Sequence, residues 1–131
     1  NDFNAMQEII YKQTGEYTNL CRFPGGSSNT VSSFNPGIMT RLAALLEEQG
    51  YQYFDWNVSA GDTKLKDAEE ILDKLKKETK SKTYAVTLLH SEYKQYSFEA
   101  VEDYILWGLD NGYSFLPLTP DSPNAHHKIN N

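Results

Sequence analysis

The segment Asp55-Trp56-Asn57-Val58-Ser59-Ala60-Gly61-Asp62 closes a short strand-like run and ends in a carboxylate. Two further segments close strand-like runs in the same way: Arg22-Phe23-Pro24-Gly25-Gly26-Ser27-Ser28-Asn29 and Leu88-Leu89-His90. The carboxyl ends of parallel strands lie at one edge of a sheet or barrel, and there these folds bind ligands and carry out chemistry. The sequence therefore predicts an arginine, a carboxylate and a histidine at one shared edge.

Helical patterns alternate with these runs. We predict helices from about Phe3 to Gly15, from Asn35 to Gly50, from about Lys64 to Glu78 and from Ser97 to Gly112, and strands at Leu20–Phe23, Gln52–Trp56, Thr83–His90 and Ser114–Leu116. Helices that alternate with short apolar strands favour a parallel sheet covered by helices. The predicted fold class is α/β, with about four parallel strands alternating with four helices. The pattern leaves open whether the sheet is a small open one or one arc of a barrel.

Composition restricts the kind of protein. The 131 residues, 39% hydrophobic and 13% aromatic, can fill one core, so residues 1–131 are predicted to form a single domain or part of one. A net charge of −6 argues against a nucleic-acid partner, and no apolar run approaches the length of a membrane span. Cys21 is predicted to be a small buried hydrophobe rather than a nucleophile.

The three segments resemble the last three of the five sequence motifs of the polysaccharide deacetylases, which include chitooligosaccharide and peptidoglycan N-acetylglucosamine deacetylases. Arg22-Phe23-Pro24-Gly25 is similar to the third motif, and Leu88-Leu89-His90 is similar to the fifth. Asp62 occupies the place of the fourth-motif aspartate, although Thr63 stands where the family has tryptophan. The resemblance implies that the chain is the C-terminal part of a distorted (β/α) barrel.

The resemblance also implies a role for each motif residue in hydrolysis of an acetyl amide. His90 resembles the general acid that protonates the departing sugar amine, Asp62 the carboxylate that tunes this histidine, and Arg22 the arginine that orients the catalytic base. The backbone N–H of Gly25 resembles a donor to the developing oxyanion. Leu88, with Trp56 as a nearby indole, resembles the apolar wall for the acetyl methyl group. The substrate implied is an N-acetylated polysaccharide such as peptidoglycan or chitin.

The first two family motifs, an Asp-Asp pair and two histidines four residues apart, have no counterpart here. In the family these motifs supply the catalytic base and hold a divalent, zinc-like ion. We do not expect His126 and His127 to replace them, so we expect no tightly bound metal in this chain and no activity from it in isolation. We expect a longer parent enzyme that supplies the missing N-terminal part of the barrel, and self-association of the isolated chain as a dimer or larger species. The resemblance places the parent outside the cell or at the cell wall, although the chain carries no signal for export.

Other interpretations use the same residues. Arg22 could pair with a structural carboxylate, Asp62 could cap the third helix, and His90 could be an ordinary core histidine. The chain could also be a non-catalytic carbohydrate-binding or structural module derived from that fold. In that case an aromatic rim would stack on sugar rings, and its members would include Tyr53, Trp56, Tyr93 and Tyr96.

Overall fold

The computed structural model describes residues 2–91 and 95–131. The helices are α1 (Asp2–Thr14), α2 (Ile38–Glu48), α3 (Ala68–Thr79) and α4 (Gln95–Asp110), and a short 3-10 helix, Val31–Phe34, precedes α2. The strands are β1 (Leu20–Cys21), β2 (Gln52–Tyr53), β3 (Val58–Ser59) and β4 (Thr87–Leu88). Tyr93, one of the expected rim aromatics, lies outside the described residues.

The strands form two parallel pairs. In the first pair β1 lies beside β2 with Leu20 opposite Gln52, and in the second β3 lies beside β4 with Val58 opposite Thr87. Helix α2 connects the strands of the first pair and α3 connects those of the second, as parallel pairing requires a long crossover. The predicted α/β class with short parallel strands is confirmed.

The chain forms two compact units. The first extends to Phe54 and includes Thr119–Ser122 and His126–Asn131; the second comprises Asp55–Leu118 and Pro123–Ala125. Within residues 2–91 and 95–131, none of the helices combines the length and apolar character that crossing a membrane requires.

In the first unit, a buried glutamine ties α1 to the segment that leads into β1. The Gln7 amide donates from Nε2 to the Thr18 carbonyl at 2.7 Å and accepts the Thr18 N–H on Oε1 at 3.2 Å. The two contacts satisfy both ends of the buried amide. Met39 and Ala43 of α2 are buried in this unit, as are Tyr53 and Phe54.

The second unit has a core built from both of its helices and β3. Its buried members are Val58, Ala60, Ile71, Leu75, Ala100 and Tyr104. Ile71 and Leu75 lie four residues apart on one face of α3 and are completely buried, which is worth about 1.5–3 kcal/mol for each side chain. The Tyr104 hydroxyl at the edge of this core lies 2.8 Å from Thr79 Oγ1, so neither hydroxyl is buried without a partner.

The prediction of a strand at Ser114–Leu116 is wrong. These residues form no strand, and the chain after Gly112 turns back onto α4. The Phe115 ring packs edge-on to Tyr104 with the ring centroids 5.9 Å apart and covers Gly108, where a Cβ atom would lie 2.6 Å from the ring. The aromatic residue that suggested a strand instead packs against the C-terminal part of α4.

The strand predicted at Thr83–His90 is shorter than expected because a side chain takes over its hydrogen bonds. Asn57 Oδ1 accepts the N–H of Val86 at 2.8 Å, and Asn57 Nδ2 donates to the carbonyl of Tyr84 at 3.2 Å. The amide therefore bonds to the main chain at Tyr84 and Val86, the Val86 carbonyl accepts the N–H groups of Asn57 and Val58, and regular pairing is confined to Thr87–Leu88. Its partner strand is Val58–Ser59. We did not predict a strand there, because these residues lie in the Asp55–Asp62 segment that closes the predicted strand Gln52–Trp56.

The predicted starts of two helices and the cap suggested for the third are also wrong. Helix α2 follows Gly37, which has a positive φ of 76°, and not Asn35. Asp67, and not Asp62, caps α3 by accepting the N–H of Glu70 at 3.0 Å. Ser97 lies inside α4 and not before it. Asp62 and Ser97 bond to other partners, which form the candidate site.

Candidate functional site

Asp62 lies in a turn just after β3, and Gly61 makes that turn possible. Gly61 has φ +69°, and a Cβ atom there would lie 2.8 Å from Cε of Lys74 on α3. A larger residue would be strained in its backbone and would displace the lysine. The turn buries Asp62, whose side chain is 3% exposed.

His90 holds both oxygens of this carboxylate. Its backbone N–H donates to Asp62 Oδ2 at 2.7 Å, and its ring nitrogen Nδ1 lies 2.8 Å from Asp62 Oδ1. The two residues lie 28 positions apart, one after β3 and the other after β4. The parallel pairing of these strands therefore brings the predicted fourth-motif aspartate and fifth-motif histidine together.

A third donor comes from α4. The Ser97 hydroxyl, buried with its residue 2% exposed, donates to Asp62 Oδ2 at 2.6 Å. The sequence did not predict this contact, because a serine at the predicted start of a helix is typical of a cap. A signal was present: Ser97 shares a helical face with Ala100 and Tyr104, and a hydroxyl on an apolar face needs a specific partner.

The electrostatic balance at Asp62 favours the ionised carboxylate. Burial raises the pKa of Asp62, but hydrogen bonds from the Ser97 hydroxyl and from the His90 backbone and ring, with the charge of the imidazolium, outweigh burial and lower it. An ionised carboxylate only accepts hydrogen bonds, so His90 Nδ1 carries the proton between them. Nε2 is then the ring nitrogen that does not face Asp62, and the side chain remains 40% exposed.

Leu88 and Trp56 belong to the same unit as this pair. Leu88 is half-buried in β4, and its carbonyl accepts the N–H of Ala60 at 3.0 Å. Trp56 is half-buried just before β3. Their predicted contact with an acetyl group stays a prediction.

Arg22 and Gly25 belong to the first unit, in the loop after β1. Arg22 is exposed, and its Nη1 donates to the carbonyl of Phe23 at 3.2 Å. Gly25 has φ +72°, a backbone conformation that favours glycine. Two turns shape the loop, since Gly26 N–H donates to the Phe23 carbonyl and Asn29 N–H donates to the Gly26 carbonyl. The proposed roles of Arg22 and Gly25 also stay predictions.

The C-terminal histidines contact this loop and β2 of the first unit. The His126 ring stacks on Tyr53 with the centroids 3.7 Å apart, and its Nε2 lies 2.8 Å from the Tyr53 carbonyl. His127 Nδ1 lies 3.0 Å from the Ser28 hydroxyl. Tyr53 is only 4% exposed, so the expectation that it stacks on sugar rings is wrong. Among residues 2–91 and 95–131, no three His, Cys, Asp or Glu side chains form a cluster that could hold a metal ion.

Solved structures resemble this chain closely. The catalytic domain of a peptidoglycan N-acetylglucosamine deacetylase from Eubacterium rectale matches 98% of the chain with 46% sequence identity and a TM-score of 0.92. The chain has the fold of the polysaccharide deacetylases. The resemblance stated from its three motifs is confirmed. The chain covers 59% of the E. rectale domain, so it represents part of the deacetylase fold.

Two further solved structures have a similar fold. A Streptococcus mutans CE4 esterase matches 86% of the chain at 25% identity with a TM-score of 0.66, and the chain covers 49% of it. A polysaccharide deacetylase from Bacillus cereus matches 98% of the chain at 22% identity with a TM-score of 0.71, and the chain covers 57% of it. This last likeness concerns the fold alone. No protein-family model matches the sequence, and no curated protein matches it.

Proposed function

We propose that this chain is the C-terminal part of a metal-dependent polysaccharide deacetylase that hydrolyses the N-acetyl groups of N-acetylglucosamine-containing polymers. The observation that carries the proposal is the contact between Asp62 and His90, in which one buried carboxylate accepts both the backbone and the ring N–H of the histidine. The 46% identity to a peptidoglycan N-acetylglucosamine deacetylase supports the substrate class.

The proposed reaction uses His90 as the general acid. Amide hydrolysis requires a proton on the leaving nitrogen, because an amide anion is a very poor leaving group. Asp62 fixes the His90 ring through Nδ1, so the protonated ring presents Nε2–H to the departing amine.

The family resemblance gives each of the remaining motif residues a proposed role. We assign Arg22 to orientation of the catalytic base and the Gly25 N–H to the oxyanion of the tetrahedral intermediate. Leu88 and Trp56 form the apolar wall against the acetyl methyl group. In the family, the base and the ligands of the divalent ion belong to the two motifs that have no counterpart in this sequence. Because these two motifs have no counterpart, we propose that the isolated chain is inactive. From the family resemblance, we propose that the parent acts outside the cell or at the cell wall.

The test measures acetate release from N-acetylglucosamine oligomers, chitin oligomers and N-acetylated peptidoglycan. We expect release by the parent protein, none by the isolated chain, and a loss of about 10² to 10⁴ in turnover for His90→Ala in the parent. Added imidazole should restore part of the activity of His90→Ala, because a free ring can replace a missing acid but not a missing structural contact. Unchanged turnover of His90→Ala would remove His90 from the mechanism.

A carbohydrate-binding module remains the alternative to this proposal. The burial of Tyr53 removes one of the aromatic residues on which it depended, whereas Tyr96 is 44% exposed and could meet a sugar. Binding of chitin oligomers to the parent without acetate release would favour that alternative.

A further inference from the structure

Ser97 lies on the buried face of α4. The buried residues of that helix are Ser97, Ala100, Tyr104 and Gly108, spaced as one helical stripe. The Tyr104 hydroxyl at the middle of the stripe has Thr79 as its partner, whereas Ser97 at the first turn reaches the Asp62 carboxylate. A buried hydroxyl is costly unless it is bonded, so this contact accounts for a serine at an otherwise apolar position.

The three donors to Asp62 are divided between its two oxygens. Oδ2 accepts from the Ser97 hydroxyl at 2.6 Å and from the His90 backbone at 2.7 Å, while Oδ1 faces the His90 ring at 2.8 Å. Two donors on one oxygen resist rotation of the carboxylate about its Cβ–Cγ bond. The other oxygen is then held where Nδ1 needs an acceptor.

We infer that Ser97 is a positioning residue for the proposed acid, because its hydroxyl fixes the Asp62 carboxylate so that His90 keeps its proton on Nδ1 and offers Nε2 to the substrate. The catalytic consequence rests on the proposed function, while the effect on the carboxylate and on the imidazole tautomer does not. Ser97 touches neither the substrate nor the reacting nitrogen. It acts through Asp62.

The groups around Asp62 allow the effect of the Ser97 hydroxyl on the Asp62 titration to be measured without a change in nearby charge. His90 is the titratable group in direct contact with Asp62, and Ser97 from α4 carries no charge. From α3, Lys74 lies against Gly61 but forms an ion pair with Glu78. Removing the Ser97 hydroxyl therefore takes one donor from the carboxylate without changing a charge nearby.

The first experiment uses the 131-residue chain, with ¹³C-labelled aspartate and ¹⁵N-labelled histidine followed by NMR across pH. In Ser97→Ala we expect the titration midpoint of Asp62 to rise and the fraction of the His90 Nδ1–H tautomer to fall. Thr79→Val is the matched control, since it removes another buried hydroxyl of the same unit that contacts Tyr104 and not Asp62. A folded Ser97→Ala with the wild-type midpoint and tautomer would overturn the inference. If Ser97→Ala does not fold, Ser97→Cys keeps the size with a weaker donor and should shift both readouts in the same direction.

The second experiment uses the parent protein. Hydrogen-bond partners that orient metal-ligating side chains typically contribute about 10- to 100-fold to activity. On the same scale, we expect kcat of Ser97→Ala to fall by at least about tenfold with KM within about twofold. If NMR shows the shift but the wild-type parent releases no acetate, the proposed function fails and the positioning of Asp62 stands. If the parent deacetylates and Ser97→Ala keeps both kcat and the wild-type NMR signals, the positioning role fails and the function stands.

Discussion

Asp62 Oδ1 lies 2.8 Å from His90 Nδ1, and Asp62 Oδ2 lies 2.7 Å from the backbone nitrogen of the same histidine. One carboxylate thus fixes both the ring and the main chain of His90. The turn after β3 and the segment after β4 are joined by this contact as well as by the strand pairing. The pair therefore has a structural effect that can be measured in the isolated chain, apart from any catalysis.

Replacement of the carboxylate by an amide tests this effect. Three N–H or O–H groups donate to the Asp62 carboxylate. In Asp62→Asn, the Nδ2 amide group is itself a donor, so at least one of these hydrogen bonds is lost. Hydrogen bonds to charged groups are worth about 1.5–3 kcal/mol, so we expect the free energy of unfolding in urea to fall by about 2–3 kcal/mol. Asp67→Asn is the matched control. Asp67 caps α3 through one exposed bond, and asparagine is an equally good cap. Equal stabilities of the two variants would contradict the interpretation.

The same carboxylate makes stability depend on pH, together with Glu78. Burial raises the pKa of Glu78, but the contacts with Lys74 and the Ser59 N–H, and the charge of Lys82, outweigh burial and lower it. Both folded pKa values thus lie below the ordinary values of 3.8 for Asp62 and 4.5 for Glu78. Groups of this kind stabilise the fold above their unfolded pKa, and the stabilisation is lost as the pH falls through the folded pKa.

We therefore expect the free energy of unfolding to decrease as the pH falls below about pH 4.5, as measured by urea titrations at a series of pH values. Asp62→Asn and Glu78→Gln should each make this decrease smaller. The effect of Glu78→Gln should be the weaker one, because its side chain is 32% exposed and water screens its contacts. If neither substitution changes the decrease in the free energy of unfolding at low pH, neither Asp62 nor Glu78 causes that decrease.

The main features of the fold follow from the sequence, and so does the meeting of Asp62 and His90 in the candidate site. Motif order and strand ends placed Asp62 and His90 together, because parallel strands that end in polar residues leave little choice for where these residues meet. The site also contains Ser97, which the sequence could not assign. A serine near the start of a helix is usually a cap, and only the apolar residues at its 3.6-residue spacing indicate that it faces inward.

The ends of the strands were harder to predict, since they depend on side chains that compete with the backbone. Asn57 bonds to the main chain of residues 84–86 and shortens the ladder there, a contact between positions far apart in sequence. Phe115 has a high strand propensity, but it packs on α4 because Gly108 leaves room for its ring. Propensity is weak against a tertiary contact of this kind.

The C-terminal asparagine makes a cluster of contacts within the first unit that should contribute to its stability. Asn131 Oδ1 accepts the N–H of Gly37 at 2.6 Å, and its Nδ2 donates to the carbonyl of Ser32 at 2.8 Å. We expect Asn131→Ala to lower the free energy of unfolding by about 1–2 kcal/mol and to speed hydrogen exchange at the Gly37 amide. Asn130→Ala removes one exposed bond, to the Ser28 carbonyl, and should cost less. Equal exchange at Gly37 in both variants would show that the contact does not hold the N-terminus of α2.

Exposed apolar side chains on α4 make the expectation of self-association testable. Phe98, Ile105 and Leu109 follow one helical face, and their residues are 78%, 36% and 54% exposed. Apolar faces of this kind commonly mark contacts with other protein surfaces. We expect light scattering of the isolated chain to show a mass that rises with concentration, and Phe98→Glu with Leu109→Glu to reduce it toward the monomer value of 14.9 kDa. Val31→Glu is the control, because Val31 is 84% exposed in the first unit and lies on a different helix. A wild-type chain that keeps the monomer mass at high concentration would contradict self-association, and association that Val31→Glu alone abolishes would place the contact away from α4.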